Sequence, residues 1–282
     1  MKLNAPAKLN LSLRILGKRA DGYHLIDSLM VPISLYDRLE IAKARKNGDR
    51  ITVVTDSRDV PGGAENLAYR AAALFLDRHG LRERVRIRIH KRIPVGAGLG
   101  GGSSDAASTI LGLNRLFQTG MDLRAMAELG SRIGADVPFF IYGRPARVGG
   151  KGERVSPLSS LPLLWFVVLN PGFPVSTRWA YENFSVKLTR RGGNTSIIAS
   201  LADCRQWTRA LINDLEAVTL PRYPKLQQLK EELLSAGARA ALMSGSGSSV
   251  FGLFESEEGA RRAFYRLRKE EETRAYLVHS LS

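Results

Sequence analysis

Leu9, Leu11, Leu13 and Ile15 alternate with Asn10, Ser12 and Arg14. A period of two sends successive side chains to opposite faces, so an early strand is predicted there, followed by a polar turn at 17–22. Residues 39–42 and 51–54 read as further strands, with 43–50 as the turn between them. Val85, Ile87, Ile89 and Ile93 share one parity while Arg86, Arg88 and Arg92 hold the other, which predicts a strand ending at Ile93 with one buried and one basic, solvated face. Helical patterns cover 66–77, 103–117 (Ala106, Ala107, Ile110, Leu111, Leu113) and 123–133. The second half predicts a strand at 165–169, helices near 205–215 and 224–236, strands at 238–243 and 248–254, a helix at 257–271 and a last strand at 275–278. Strands and helices mix without regular βαβα alternation, so the expected class is α+β. A Gly- and Pro-rich stretch at 143–162 suggests two domains, 1–152 and 153–282.

Composition narrows this only modestly. A chain of 282 residues, 44% hydrophobic and 24% charged, suffices for two globular domains. Its longest apolar stretch, 161–169, is broken by Pro162 and falls far short of the roughly 20 residues that span a bilayer. Met1 to Pro6 lack the apolar run of a signal peptide, and Cys204 is the single cysteine, so a cytoplasmic protein without an intramolecular disulfide is expected. The net charge of +15 favours anionic partners. A basic nucleic-acid-binding module is one reading of it. However, aromatics do not interleave with the basic runs as a base-stacking platform requires, and no specific nucleic acid is expected. His79 and His90 show no metal-ligand spacing, so no zinc site is indicated.

The densest chemical signal is Pro94-Val95-Gly96-Ala97-Gly98-Leu99-Gly100-Gly101-Gly102-Ser103-Ser104, with five glycines in the seven positions 96–102 between a predicted strand and a predicted helix. Glycine allows positive φ and close backbone approach, so successive N–H groups converge on an anion. The helix start adds unpaired donors and the positive end of its dipole. The serine hydroxyls add donors to phosphate oxygens. The run therefore reads as a polyphosphate cradle. No Gly-Lys-Ser/Thr follows, which excludes a Walker A loop, and the acid expected about 20 residues after a dinucleotide-binding GxGxxG has only Asp122, where a helix starts. On residue type alone Lys8 is one of 42 basic residues, Asp136 is a turn residue before Pro138, and the glycines around Ser244 fit a hairpin turn as well as a binding loop.

Residues 94–107 resemble the second motif of the GHMP kinases, in its glycine-extended form. The resemblance covers nearly the whole chain. Ala5-Pro6-Ala7-Lys8-Leu9-Asn10-Leu11 resembles the first motif, and Arg19-Ala20-Asp21-Gly22-Tyr23-His24 a substrate loop. Gly134-Ala135-Asp136-Val137-Pro138-Phe139-Phe140 resembles the catalytic aspartate segment, and Asn213-Asp214-Leu215-Glu216 and Met243-Ser244-Gly245-Ser246-Gly247-Ser248 the C-terminal motifs. The strongly basic composition is not part of that pattern.

What the resemblance implies is a two-domain α+β kinase with its active site in the interdomain cleft. It would use ATP with Mg²⁺ to phosphorylate the hydroxyl of a cytidine diphosphate ester in the non-mevalonate route to isoprenoid precursors, as a monomer or homodimer. An acceptor of the mevalonate or homoserine type is the alternative, disfavoured by the Asp-Gly-Tyr-His segment. The resemblance makes Asp136 the base and Lys8 the cation that orients it and polarises the hydroxyl. ATP falls to residues 94–104 with Asn66 and Lys91. The substrate falls to Asn10, Tyr23, His24, Thr177 and Tyr181, with Trp179 as the alternative to Tyr181. Val at Gly98 or Gly100 is expected to weaken ATP binding and to leave the fold largely intact.

Overall fold

The structure, a computed structural model, describes residues 1–44, 48–185, 211–268 and 272–282. Two long strands dominate the N-terminal region, β1 (Lys2–Lys18) and β2 (His24–Lys43). Both are longer than alternation predicts, for a physical reason. Leu29, Met30, Val31 and Ile33 are all buried, so the strand is covered on both faces there and its period-two signature disappears. Strands β3 (Ile51–Thr55) and β4 (Val85–His90) follow, giving the order β3-β4-β2-β1-β8, where β8 is Ile212–Asn213. β3 runs parallel to β4, β4 antiparallel to β2 with Ile41 opposite Ile87, and β8 parallel to β1.

The chain divides into two compact units: Met1–Ala7 with Leu35–Val95 and Gly100–Gly143, and Lys8–Ser34 with Gly96–Leu99 and Arg144–Ser282. The first carries helices α1 (Leu67–Arg78), α2 (Gly101–Phe117), α3 (Leu123–Ser131) and α4 (Val137–Tyr142). α2 packs on α1, α3 and α4, burying Ala106, Ala107, Ile110 and Leu113, while α1 buries Phe75 and Leu76. A Cβ on Gly112 would lie 2.6 Å from Ile41 Cδ1 and 2.7 Å from Leu3 Cδ1, so the helix rides close to its sheet because this position is glycine. The short α4 escapes periodicity because Val137, Phe139, Phe140 and Ile141 are all buried.

The second unit holds the hairpin β5 (Ala146–Gly150) and β6 (Arg154–Pro157), with β5 antiparallel to β2. Both strands lie in the stretch read from composition as a boundary. A four-stranded antiparallel sheet follows in the order β11-β7-β10-β9: Arg274–His279, Trp165–Asn170, Val250–Phe254 and Ala240–Met243. Helices α5 (Thr177–Asn183), α6 (Glu216–Arg222), α7 (Pro224–Ser235) and α8 (Glu257–Leu267) accompany it. Its core gathers Val167, Leu169, Leu215, Leu226, Leu229, Leu233, Val250 and Phe254.

Three expectations are corrected. Of the helix expected at 205–215, residues 205–210 lie outside the described residues, and 212–213 pair as strand β8. The helix expected at 257–271 ends at Leu267, with 269–271 outside the described residues. The strand expected to reach Ile93 stops at His90, because the N–H groups of Arg92 and Ile93 donate to the Asp37 carboxylate rather than to a sheet ladder.

Candidate active site

The glycine run is a loop of alternating left-handed turns. Gly96, Gly98 and Gly100 have φ of 63°, 76° and 73°, a region costing other residues roughly 1–2 kcal/mol each. Gly100 caps α2 in the left-handed conformation and, being glycine, offers no side chain to the helix's first N–H groups. The donors of that first turn lack intrahelical partners by geometry, and the dipole adds positive potential there. The Ser104 hydroxyl and one Asp105 carboxylate oxygen are buried without a hydrogen-bond partner. An orphaned buried hydroxyl beside uncapped N–H groups fits an anionic ligand rich in oxygen.

Residues Gly96–Leu99 belong with the second unit and are stitched into it. Lys8 N donates to Leu99 O at 3.0 Å, Ser249 N to Ala97 O at 3.1 Å, and Val175 N to Gly96 O at 3.1 Å. Ser244 Oγ donates to Gly98 O at 3.0 Å. A Cβ at Gly98 would stand 1.9 Å from Ser244 O, so the glycine serves the contact between two backbone loops. The expectation that Val at this position spares the fold is therefore corrected.

The second glycine loop, between β9 and β10, is held by one short motif. Asn213 Nδ2 donates to Met243 O at 2.8 Å and to Gly245 O at 2.7 Å. Glu216 accepts from Met243 N at 2.8 Å and from Lys230 Nζ at 2.6 Å. Asp214 accepts from Ile15 N at 2.7 Å; burial raises its carboxyl above the ordinary value. Leu215 enters the core. Thus Asn213-Asp214-Leu215-Glu216 is an anchor for Ser244 and Gly245.

Lys8 and Asn10 sit two residues apart on one face of β1. Both are buried, and Lys8 Nζ donates to Asn10 Oδ1. Asn10 Nδ2 in turn donates to Ser28 Oγ at 2.8 Å, and its N–H to Ser244 Oγ at 3.4 Å. Asp136 is half-buried at the start of α4, where its side chain does not cap the helix.

His24 is buried, and its ring centroid lies 5.4 Å from that of Tyr181 on α5. Burial, with Lys18 nearby, lowers its pKa, so the imidazole is neutral at pH 7 and offers one donor and one acceptor. Tyr23 is 58% exposed, with Lys151 Nζ 5.0 Å from its ring centre. Thr177 Oγ1 lies 3.0 Å from Ser246 Oγ. Trp179 turns elsewhere, its ring edge-on to Tyr223 at 5.8 Å.

Two residues expected at the nucleotide have structural partners. Asn66 caps α1, accepting from Ala68 N at 2.8 Å and donating to Pro61 O at 2.7 Å. Lys91 is not on a solvated face: its side chain is 7% exposed, with its ammonium on Asp37 and, at 2.9 Å, on Asp105. Burial works against that charge, but the Asp105 and Asp37 carboxylates outweigh it and raise the pKa. Burial pushes Asp105 up to about 7, with Lys91 opposing and Asp37 reinforcing the shift. Sequence reasoning missed both acids. The signal for Asp37 was readable: it holds the inward parity of Ile33, Leu35, Leu39 and Ile41, where a charge needs a buried partner. Among the described residues no group of three or more His, Cys, Asp or Glu side chains is placed to hold a metal.

Two family models match the chain: the GHMP kinases N terminal domain at residues 66–144, and the GHMP kinases C terminal at 197–273. The 4-diphosphocytidyl-2-C-methyl-D-erythritol kinase of Citrifermentans bemidjiense is 46% identical over 269 residues, 95% of each chain. That of Syntrophotalea carbinolica is 44% identical over 278 residues, 99% of this chain and 98% of its own. A crystal structure of a 4-(cytidine 5'-diphospho)-2C-methyl-D-erythritol kinase, 40% identical, superposes with a TM-score of 0.85 over 100% of both chains.

Proposed function

This chain belongs to the 4-diphosphocytidyl-2-C-methyl-D-erythritol kinases, within the GHMP kinases, and from that membership we propose how its residues divide the reaction. The enzyme transfers the γ-phosphoryl group of ATP to the tertiary hydroxyl of 4-diphosphocytidyl-2-C-methyl-D-erythritol, a step toward isoprenoid precursors. Such a transfer asks for in-line positioning and dispersal of charge more than for covalent participation by the protein. The observation that carries the reading is the left-handed glycine loop opening into an α2 whose N-cap, Gly100, has no side chain to cap its first turn.

In this reading residues 94–104 form the ATP phosphate site, with the backbone N–H groups after Pro94 as its donors. The Mg²⁺ that travels with ATP supplies charge neutralisation when bound, and no protein group is assigned to it. Asp136 takes the proton from the acceptor hydroxyl. Lys8, kept in place by Asn10, polarises that hydroxyl. Tyr23 and Tyr181 take the two faces of the cytosine, while His24 pairs with its polar edge and Asn10 and Thr177 complete the substrate contacts. Lys91 and Asn66 act near the nucleotide through the backbone they organise. A cytoplasmic enzyme acting as a monomer or homodimer completes this reading. Among the described residues no helix is long and apolar enough to cross a membrane.

The test is Asp136→Asn, with turnover and ATP affinity measured separately. Turnover should fall by roughly 10²–10⁴ while ATP affinity holds, since the amide keeps the shape and loses the base. Turnover within a few-fold of wild type would remove Asp136 from the role. An ATP-consumption panel of the cytidine diphosphate ester, mevalonate and homoserine completes it, with consumption expected for the first alone.

A further inference from the structure

We infer that Asp37, Lys91 and Asp105 form a buried clamp that sets the two ends of the phosphate loop, making Lys91 a positioning residue for ATP rather than a phosphate ligand. This rests on the reading of residues 94–104 as the phosphate site.

The connectivity carries the argument. Asp37 is wholly buried on β2, and its two carboxylate oxygens do different work. Oδ1 accepts from Arg92 N at 2.6 Å and Ile93 N at 2.9 Å, the last two residues before Pro94. Oδ2 accepts from the Lys91 ammonium, which reaches on to Asp105 Oδ2 at 2.9 Å in the first turn and a half of α2. The residues where the loop begins and the helix into which it runs are thus tied to one ammonium and one carboxylate. Gly101 is fitted against this assembly, since a Cβ there would lie 3.0 Å from Ile93 Cγ2 and 3.2 Å from Lys91 Nζ.

A purely stabilising role explains the arrangement poorly. Burying one ammonium with two carboxylates carries a desolvation cost that the ion pairs at best offset, and apolar packing of equal volume often does as well. Here one Asp105 oxygen is also left without a hydrogen bond. What charge-assisted hydrogen bonds supply and apolar contacts do not is direction. With both ends fixed, the N–H groups of the intervening loop keep one orientation, and they gain most as phosphate donors when that orientation exists before ATP arrives. Lys91 also has little to offer a phosphate directly, because both its neighbours are acids that hold the ammonium.

The experiment is calorimetric titration of ATP into the whole protein carrying Lys91→Met, Asp105→Ala, Asp105→Asn, or Lys91→Met with Asp105→Ala. Titration of the cytidine substrate and thermal melting accompany each. Asp105→Ala leaves Lys91 paired with Asp37, so folding is expected; Asp105→Leu, closer in volume, stands in if that chain does not fold. The clamp predicts that Lys91→Met and Asp105→Ala each raise the Kd for ATP about 10–100-fold, the scale of a misplacement near 1 Å. The double variant should be no weaker than the weaker single one, and affinity for the cytidine substrate should hold. Asp105→Asn, which keeps an acceptor oxygen, should stay within about threefold of wild type, because the bond and not the charge is what the clamp needs. A loss of ATP affinity in Lys91→Met with none in Asp105→Ala would make Lys91 a direct ligand and overturn the clamp. Lower melting temperatures with unchanged ATP affinity would make the triad structural only. Ser103→Ala separates the two levels. If it weakens ATP while the clamp variants do not, only the clamp falls. If ATP affinity ignores Ser103→Ala and the clamp variants alike, the loop reading falls and the clamp with it.

Discussion

Trp179 and Tyr181 lie two residues apart on the same short helix, yet their rings go to different places, and that difference supports Tyr181 as the residue proposed to meet the base. Trp179 meets Tyr223, which stacks on Phe173 at 5.4 Å against the edge of the core. Tyr181 faces His24 instead. Base–aromatic stacking is worth about 1–3 kcal/mol per base, so Tyr23→Ala and Tyr181→Ala should each raise KM for the cytidine substrate roughly 5–150-fold, with KM for ATP unchanged. Tyr23 is exposed, so its removal should leave the melting temperature where it was, whereas Trp179→Ala should lower it and spare KM. An enzyme that accepted uridine or base-free analogues as readily as the cytidine ester would sink the pairing of both tyrosines with the ring. In the sequence these two aromatics were interchangeable, because no glycine landmark fixes the register of that stretch; helical geometry separates residues two apart by about 200°, and tertiary packing then chooses.

At the scale of elements, the glycine loop shows that one residue type answers to different constraints within a few positions. Gly98 combines positive φ with a Cβ position 1.9 Å from Ser244 O. Gly102 lies in regular helix, where a Cβ would meet Leu67 Cδ1 at an ordinary 3.5 Å. Gly98→Ala should therefore lower the melting temperature, whereas Gly102→Ala should hold or raise it, since Gly costs a helix about 1 kcal/mol relative to Ala. Equal melting temperatures for the two would mean that the contact with Ser244 is not a constraint. The glycines themselves were plain in the sequence, as was the strand-loop-helix order around them. Hidden from it was which glycine meets backbone, because Ser244 lies 146 residues away in the chain. The same holds for β2: alternation revealed its last residues, near Leu39 and Ile41, and two-sided burial concealed the rest. The end of β4 was misplaced for a related reason, since Ile93 keeps the buried parity although its N–H has gone to Asp37.

For the whole molecule, the division expected at residue 152 follows chain order, whereas each compact unit gathers three segments and both draw on β1 and β2. Composition marks turns and linkers; it carries no signal for a strand that contributes to two units at once. It does fix the charge, and +15 acts on the molecule as a whole. ATP and a cytidine diphosphate ester are both polyanions, so a net positive field raises their local concentration and speeds encounter, by about 10-fold or more in strongly steered cases. Salt shortens the reach of that field to about 10 Å at 0.1 M and about 3 Å at 1 M. Once both substrates are bound, the groups that act on them are in contact and screening matters far less. Raising potassium chloride from 50 mM to 500 mM should thus lower kcat/KM for each substrate several-fold while kcat changes by less than about twofold. A neutral osmolyte at matched viscosity should produce no such split. Part of the effect belongs to the exposed Arg86 and Arg88 on the outer face of β4, and charge-neutral Arg86→Gln and Arg88→Gln together should flatten the salt dependence without changing kcat. If kcat/KM proved equal at the two ionic strengths, substrate capture would owe nothing to the basic surface, and the excess charge would have to act through solubility or an unrelated partner.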